Sequence, residues 1–236
     1  MVEIKHRQTQ EVLHRLDADT LRGCHIRGVQ LRGADLSHAD LSGCHFEGCS
    51  LSDSDLSHAN LTCARFVSCV IQRANLGNAI LVKANFNDNV LSGSQMPNVT
   101  GQNCQFRHAK LNNANLSGAK FSGSDFFFSE LKSSSLIGAN LNGSNMFGAD
   151  MTEADFTRAD LRHSNMTDGK ILGARFEYAK MTDSVGTNGL PWGYSVKKQP
   201  SKKKSWWQVF SARGCTVENH FNRAAAVSLL AILRSR

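Results

Sequence analysis

Seven cysteines and nine histidines are the side chains of this 236-residue sequence best suited to holding a metal or attacking a substrate. A structural zinc site asks for paired ligands such as CxxC, and no CxxC occurs. Cys24, Cys44, Cys49, Cys69 and Cys104 instead share one position of a five-residue pattern, where a thiol serves as a slightly enlarged alanine. Cys63 falls on an outward position and Cys215 near the C-terminus. The histidines scatter mainly over outward positions. His38 and His58 are twenty residues apart, as are Asp35 and Asp55, so each pair is brought together by any fold of period twenty. Two histidines alone make a poor metal site, and paired carboxylates need a concave pocket to do acid–base chemistry. There is no phosphate loop, nucleophile elbow or dinucleotide fingerprint. No catalytic, cofactor-binding or metal-ligating residue is assigned, and the sequence reads as that of a protein that is not an enzyme.

The pattern that places those residues is strict. Every fifth position from Leu16 to Met181, 34 positions in all, is Leu, Ile, Met or Phe, with Gly101 the single exception. Two residues before each of these centres the side chain is nearly always Ala, Ser, Cys, Gly or Val. The residue just before the centre is often Asp or Asn, as at Asp35, Asp40, Asp55, Asn60, Asn75, Asn85 and Asn115. A strand would send residues five apart to opposite faces, and an α-helix would rotate them around its axis. Period five keeps its apolar residue inward only if the chain turns a corner once per repeat. The centre and the small residue two before it then share the inner face of a short extended side.

Four such sides close a coil of twenty residues, and that longer period is visible too. The series Ile26, Phe46, Phe66, Phe86, Phe106, Phe126, Met146, Met166 contains five consecutive Phe, whereas the neighbouring series beginning at Leu31 contains none. Stacking coils at about 4.8 Å turns each series into an internal ladder, and eight and a half coils make a rod of roughly 40 Å. Runs such as ADLSHADLSG (residues 34–43) and ANLNGSNMFGADMTEADFTRADL (residues 139–161) resemble the A(D/N)LXX consensus of the pentapeptide-repeat family. The resemblance implies an all-β solenoid, a right-handed quadrilateral β-helix of about eight coils. The segment 95–101, QMPNVTG, departs from the consensus and reads as a bulge or kink in the rod.

Residues 1–15 read as an N-terminal cap, a short helix closing the exposed cross-section of the solenoid. Residues 16–185 form the β-helix. Residues 186–236 read as a basic linker followed by a C-terminal helix from Thr216, which has a plausible N-cap, an acidic first turn and a basic last turn. Charge follows the same division. The whole chain carries +7; the last segment has nine Lys/Arg against one acid, whereas the repeats net −2. The first residues are charged throughout and the longest apolar run, residues 224–233, is too short to cross a bilayer, so a soluble, cytoplasmic protein is expected.

A rod without a pocket acts through its surface. Phe127, Phe128 and Phe147 lie outside the core register, with Phe127 and Phe147 twenty apart in one outward column. They are a candidate contact surface for a protein partner, or one that the tail folds back to cover. Lys202, Lys203, Lys204, Trp206 and Trp207 form a basic aromatic stretch that suits nucleic acid or an anionic membrane, or serves as a solvated linker. The expected function is a non-catalytic protein-interaction scaffold, with a homodimer formed through the C-terminal helix. The family resemblance implies an alternative, a DNA mimic that modulates a type II topoisomerase and influences quinolone susceptibility. A rod of ~40 Å matching duplex charge would then need ~24 negative charges, whereas the repeats net −2.

Overall fold

The computed structural model describes residues 1–184 and the backbone of residues 195–199, 206–210 and 216–217. Its strands are β1 (Val2–His6), β2 (Val12–Leu16), β3 (His25–Arg27), β4 (Ala34–Asp35), β5 (His45–Glu47), β6 (Arg65–Val67), β7 (Ser195–Gln199), β8 (Trp206–Phe210) and β9 (Thr216–Val217). β3, β5 and β6 pair in parallel with an offset of twenty residues: His25 with His45 and Arg65, Ile26 with Phe46 and Phe66. Single parallel bridges continue that offset from Gln30↔Ser50 to Asp160↔Lys180, at four positions in each coil. The protein is an all-β repeat solenoid. Among the described residues there is no α-helix.

The repeat grammar has a direct structural cause. Centres such as Leu76, Leu111 and Leu141 and small residues such as Ala74, Ala109 and Ala139 are completely buried in a continuous core. Phe46, Phe66, Phe86, Phe106 and Phe126 stack through the middle of it, with centroids 4.9, 4.6, 5.3 and 4.9 Å apart. Each ring contributes about 1.5–3 kcal/mol through burial, and offset stacking adds about 1 kcal/mol per pair. Four of the five amides in a typical repeat close the ladder: Asn75, Leu76, Asn78 and Ala79 donate to Ser54, Gln95, Pro97 and Leu76 carbonyls. The fifth, on the residue after the centre, has no carbonyl to reach. The Asp or Asn just before the centre supplies the acceptor, as Asp55 Oδ1 does for Ser57 (2.9 Å), Asn75 Oδ1 for Gly77 (3.1 Å) and Asp155 Oδ1 for Thr157 (2.9 Å). That is the physical content of the D/N preference.

The segment 95–101 is not a bulge, and the expectation of a kink is corrected. Gln95 and Thr100 keep their bridges to coils on both sides. Pro97 occupies the one position in the repeat whose amide is outside the ladder, so a residue with no N–H fits there without loss. Gln95 stands where Asp or Asn usually caps that amide, and with proline there is nothing to cap.

The N-terminal cap is also corrected, from helix to β-hairpin. β1 and β2 pair antiparallel, Val2 with Leu16 and Ile4 with His14. Burial alternates along β1, with Ile4 buried between exposed Glu3 and Lys5. The free edge of β1 pairs antiparallel with β4 of the coils, Lys5 with Asp35 and His6 with Ala34. Ile4, Val12, Leu13 and Leu16 fit either period, and the open backbone edge of the coil selects the strand because it offers hydrogen bonds a helix cannot use. Beyond the repeats, Lys197 pairs with Gln208 and Lys198 with Trp207 across antiparallel β7 and β8, so part of the expected linker is sheet. Thr216 and Val217, where the C-terminal helix was expected to begin, pair as β9 with Phe210 and Val209. The rest of that expected helix, residues 218–236, lies outside the described residues.

Candidate functional site: an outward aromatic cluster

The coil period brings Phe127, Phe128 and Phe147 together on one edge of the rod. Phe127 and Phe147 occupy equivalent positions in successive coils and lie nearly parallel, 5.6 Å apart. Their amides are fixed by Asp125 Oδ1 (3.0 Å) and Asn145 Oδ1 (3.3 Å), the same capping device seen along the rod. Phe128 meets both edge-on, at 4.7 and 5.7 Å. It is also the most open of the three, 47% exposed.

Phe128 sits at a corner where φ is 51°. That left-handed conformation suits glycine, asparagine or aspartate, and a bulky residue in it is disfavoured by roughly 1–2 kcal/mol. Gly148, at the equivalent corner of the next coil, makes the arrangement possible, since a Cβ there would lie 2.7 Å from the Phe128 ring.

Two residues not singled out from the sequence complete the cluster. The Arg107 guanidinium lies 4.4 Å from the Phe127 ring centre, and its Nη1 donates to Asp125 Oδ2 at 3.0 Å. His108 lies 5.9 Å from Phe128 in a near-parallel stack and 5.7 Å from Phe127 edge-on. Both were legible by stepping back twenty residues from Phe127 and Phe128. The result is a rigid apolar patch with a cation over one ring, suited to gripping an apolar side chain rather than to bond-making.

The remaining candidates are dispersed. Trp206 and Trp207 lie on β8, their backbones paired with Gln199 and Lys198. Lys202, Lys203 and Lys204 lie outside the described residues. The histidine columns do form: His25 and His45 stack at 4.5 Å and His38 and His58 at 4.7 Å. Among the described residues, no group of three or more His, Cys, Asp or Glu is arranged to hold a metal. Cys44, Cys49, Cys69 and Cys104 are buried in the small inward positions, Cys24 is half-buried and Cys63 is exposed. Burial pushes the Cys44 thiol up to about 11 and Cys104 up to about 12, away from nucleophilic use at neutral pH. No helix among the described residues is long and apolar enough to cross a membrane.

The pentapeptide repeat region matches residues 19–96, and the eight-copy pentapeptide repeats match residues 102–127 and 129–168. The chain belongs to the pentapeptide-repeat family. Among solved structures, this pentapeptide-repeat chain is similar to full-length QnrB1, a plasmid-mediated fluoroquinolone resistance protein. The identity is 18% over 89% of this chain and 97% of that one, with a TM-score of 0.42. It is also similar to HetL, involved in heterocyst differentiation regulation in the cyanobacterium Nostoc sp. strain PCC 7120. There the identity is 20% over 67% of this chain and 90% of that one, with a TM-score of 0.29. No curated protein matches the chain.

Proposed function

We propose that this pentapeptide-repeat protein is a non-catalytic, cytoplasmic interaction scaffold whose rod docks a protein partner on the Phe127, Phe128 and Phe147 cluster. The observation that carries the reading is Phe128, a half-exposed ring that meets two further outward rings, Phe127 and Phe147, edge-on. An exposed cluster of three aromatic rings gains by burial against a partner's aliphatic or aromatic side chain. The DNA-mimic reading takes second place. It wants a run of unneutralised acids, whereas Glu47, Asp53, Asp125, Asp150, Asp155 and Asp160 are each within ion-pair distance of Arg or Lys.

The test places a photo-crosslinking phenylalanine analogue at position 128 of the full chain in cells. A cross-link to a foreign polypeptide, lost when Phe127 and Phe147 are changed to Ala, supports the scaffold. A cross-link into residues 186–236 of the same chain overturns it, because the tail then covers the patch. A cross-link between two copies makes the patch a homodimer surface in place of the C-terminal segment.

A further inference from the structure

At the other end of the rod the N-terminal hairpin overhangs a cleft of about 470 Å³ lined by His6, Arg7, Gln8, Arg32, Gly33, Asp53 and Arg73. Its walls come from two separate devices. Asp53 and Arg73 project from one column of corners in successive coils, and Arg32 projects beside Gly33, the corner of that column in the coil before. The hairpin turn is pinned above them, since Arg7 N donates to Gly33 O at 2.8 Å. The His6 ring lies directly over Gly33, where any Cβ would collide with it. His6 Nδ1 accepts the amides of Gln8 (3.3 Å) and Thr9 (3.2 Å), which leaves Nε2 as the proton-bearing nitrogen on the Gly33 side of the ring.

The charges in this cleft do not balance. Asp53 is shared: Arg73 grips it with Nε (2.8 Å) and Nη2 (2.9 Å), and Arg32 adds Nε at 3.1 Å. The Arg7 guanidinium has no carboxylate partner among the described residues. Three arginines therefore line a cleft that holds one carboxylate, an excess of two positive charges at one place. The hydrogen bond from Arg73, with Arg32 beside it, holds the Asp53 carboxyl below its ordinary range, so Asp53 stays ionised and the excess stays at two. The N–H groups of the guanidiniums not used on Asp53 have no acceptor among the described residues, and these planar forks suit tetrahedral oxyanions.

We propose that this cleft binds a phosphate-type dianion, supplied by inorganic phosphate or by a phosphomonoester, with Arg7, Arg32 and Arg73 as its donors. Two negative charges neutralise the excess. The room under the hairpin accommodates a phosphoryl group and the first atoms of whatever carries it. The site is separate from the aromatic cluster, so either can fail without the other.

Inorganic phosphate, phenyl phosphate and acetate are titrated at constant ionic strength into the full-length protein, reading the arginine Nε–H resonances by NMR. Saturable shifts confined to Arg7, Arg32 and Arg73 with phosphate, and absent with acetate, are expected. In the Arg7→Gln/Arg32→Gln double variant the affinity should fall at least tenfold, with no change in Arg158→Gln. Tighter binding of phenyl phosphate would identify an esterified ligand, and equal binding the free ion. Unsaturated shifts spread over all arginines, or shifts that survive the double variant in a protein of unchanged thermal midpoint, overturn the proposal.

Discussion

The Phe121 ring fills the place of the side chain that Gly101 lacks. A Cβ at position 101 would lie 2.6 Å from Phe121 Cε1 and 2.8 Å from Cδ1. The ring stands edge-on to Phe106 and Phe126, at 5.3 and 5.7 Å. The two breaks in that column, a missing side chain and an oversized one a coil later, are one packing unit.

It follows that restoring the repeat consensus should harm this protein. Gly101→Leu should destabilise it by about 1–3 kcal/mol through overpacking, and Phe121→Leu by a similar amount through the void left beside Gly101. The double variant should be more stable than the sum of the two changes by about 1 kcal/mol or more. Denaturant unfolding of the four proteins measures this, and strict additivity would show that the two positions are independent.

Core and surface substitutions should separate sharply. Phe86→Ala, with rings held above and below it, should cost about 3–5 kcal/mol. Ser57→Ala, on an outward position, should stay within about 0.5 kcal/mol. Comparable losses in chemical denaturation would contradict the inward and outward assignment.

Asn89 is an oversized polar residue in a small inward position, and it is fully used. Its side chain accepts the Cys69 amide (2.6 Å) and donates to the Phe66 and Asn87 carbonyls at 2.8 and 2.7 Å. Asn89→Ala should cost about 1–3 kcal/mol because buried backbone groups lose their partners. Ser94, whose buried hydroxyl has no partner among the described residues, should tolerate Ala with little change or a small gain. A shift in melting temperature of the same sign and size for both would refute the distinction.

The buried thiols predict an alkaline limit. Cys44 and Cys104 have folded-state values of about 11 and about 12, above the ordinary 9.0. Their contribution to stability is fully present below pH 9. It is lost as pH rises from 9 toward about 11 for Cys44 and about 12 for Cys104, because the unfolded chain releases those protons first. Stability measured from pH 7 to 10.5 should fall at the upper end, less so in Cys44→Ala/Cys104→Ala. In native protein at pH 8 a thiol reagent should modify Cys63 among the described cysteines well before Cys44 or Cys104; equal rates would mean the core is open.

The basic C-terminal segment should reveal itself by salt. If Lys197 to Lys204 bind nucleic acid or anionic lipid, the affinity must drop steeply as ionic strength rises, and deleting residues 186–236 must abolish it. Binding to DNA or anionic vesicles that survives either treatment assigns the contact to the rod.

The sequence alone determined the inward positions, the twenty-residue coil, the Phe column and the outward place of Phe127 and Phe147. It could do so because a solenoid is nearly one-dimensional: each residue meets partners at a fixed sequence distance, so a linear period maps straight onto space. Tertiary structure alone decided what depends on a neighbour of no fixed offset. Ile4, Val12, Leu13 and Leu16 fit a helix or a strand, and pairing of Lys5 and His6 with β4 selected the hairpin. Gly101 and Gln95 look like defects until Phe121 and Pro97 are beside them. The arginine cleft joins residues 6–8 to Arg32, Asp53 and Arg73; the period brings 53 and 73 together, but the approach of residues 6–8 exists only once the hairpin has folded back onto the coils.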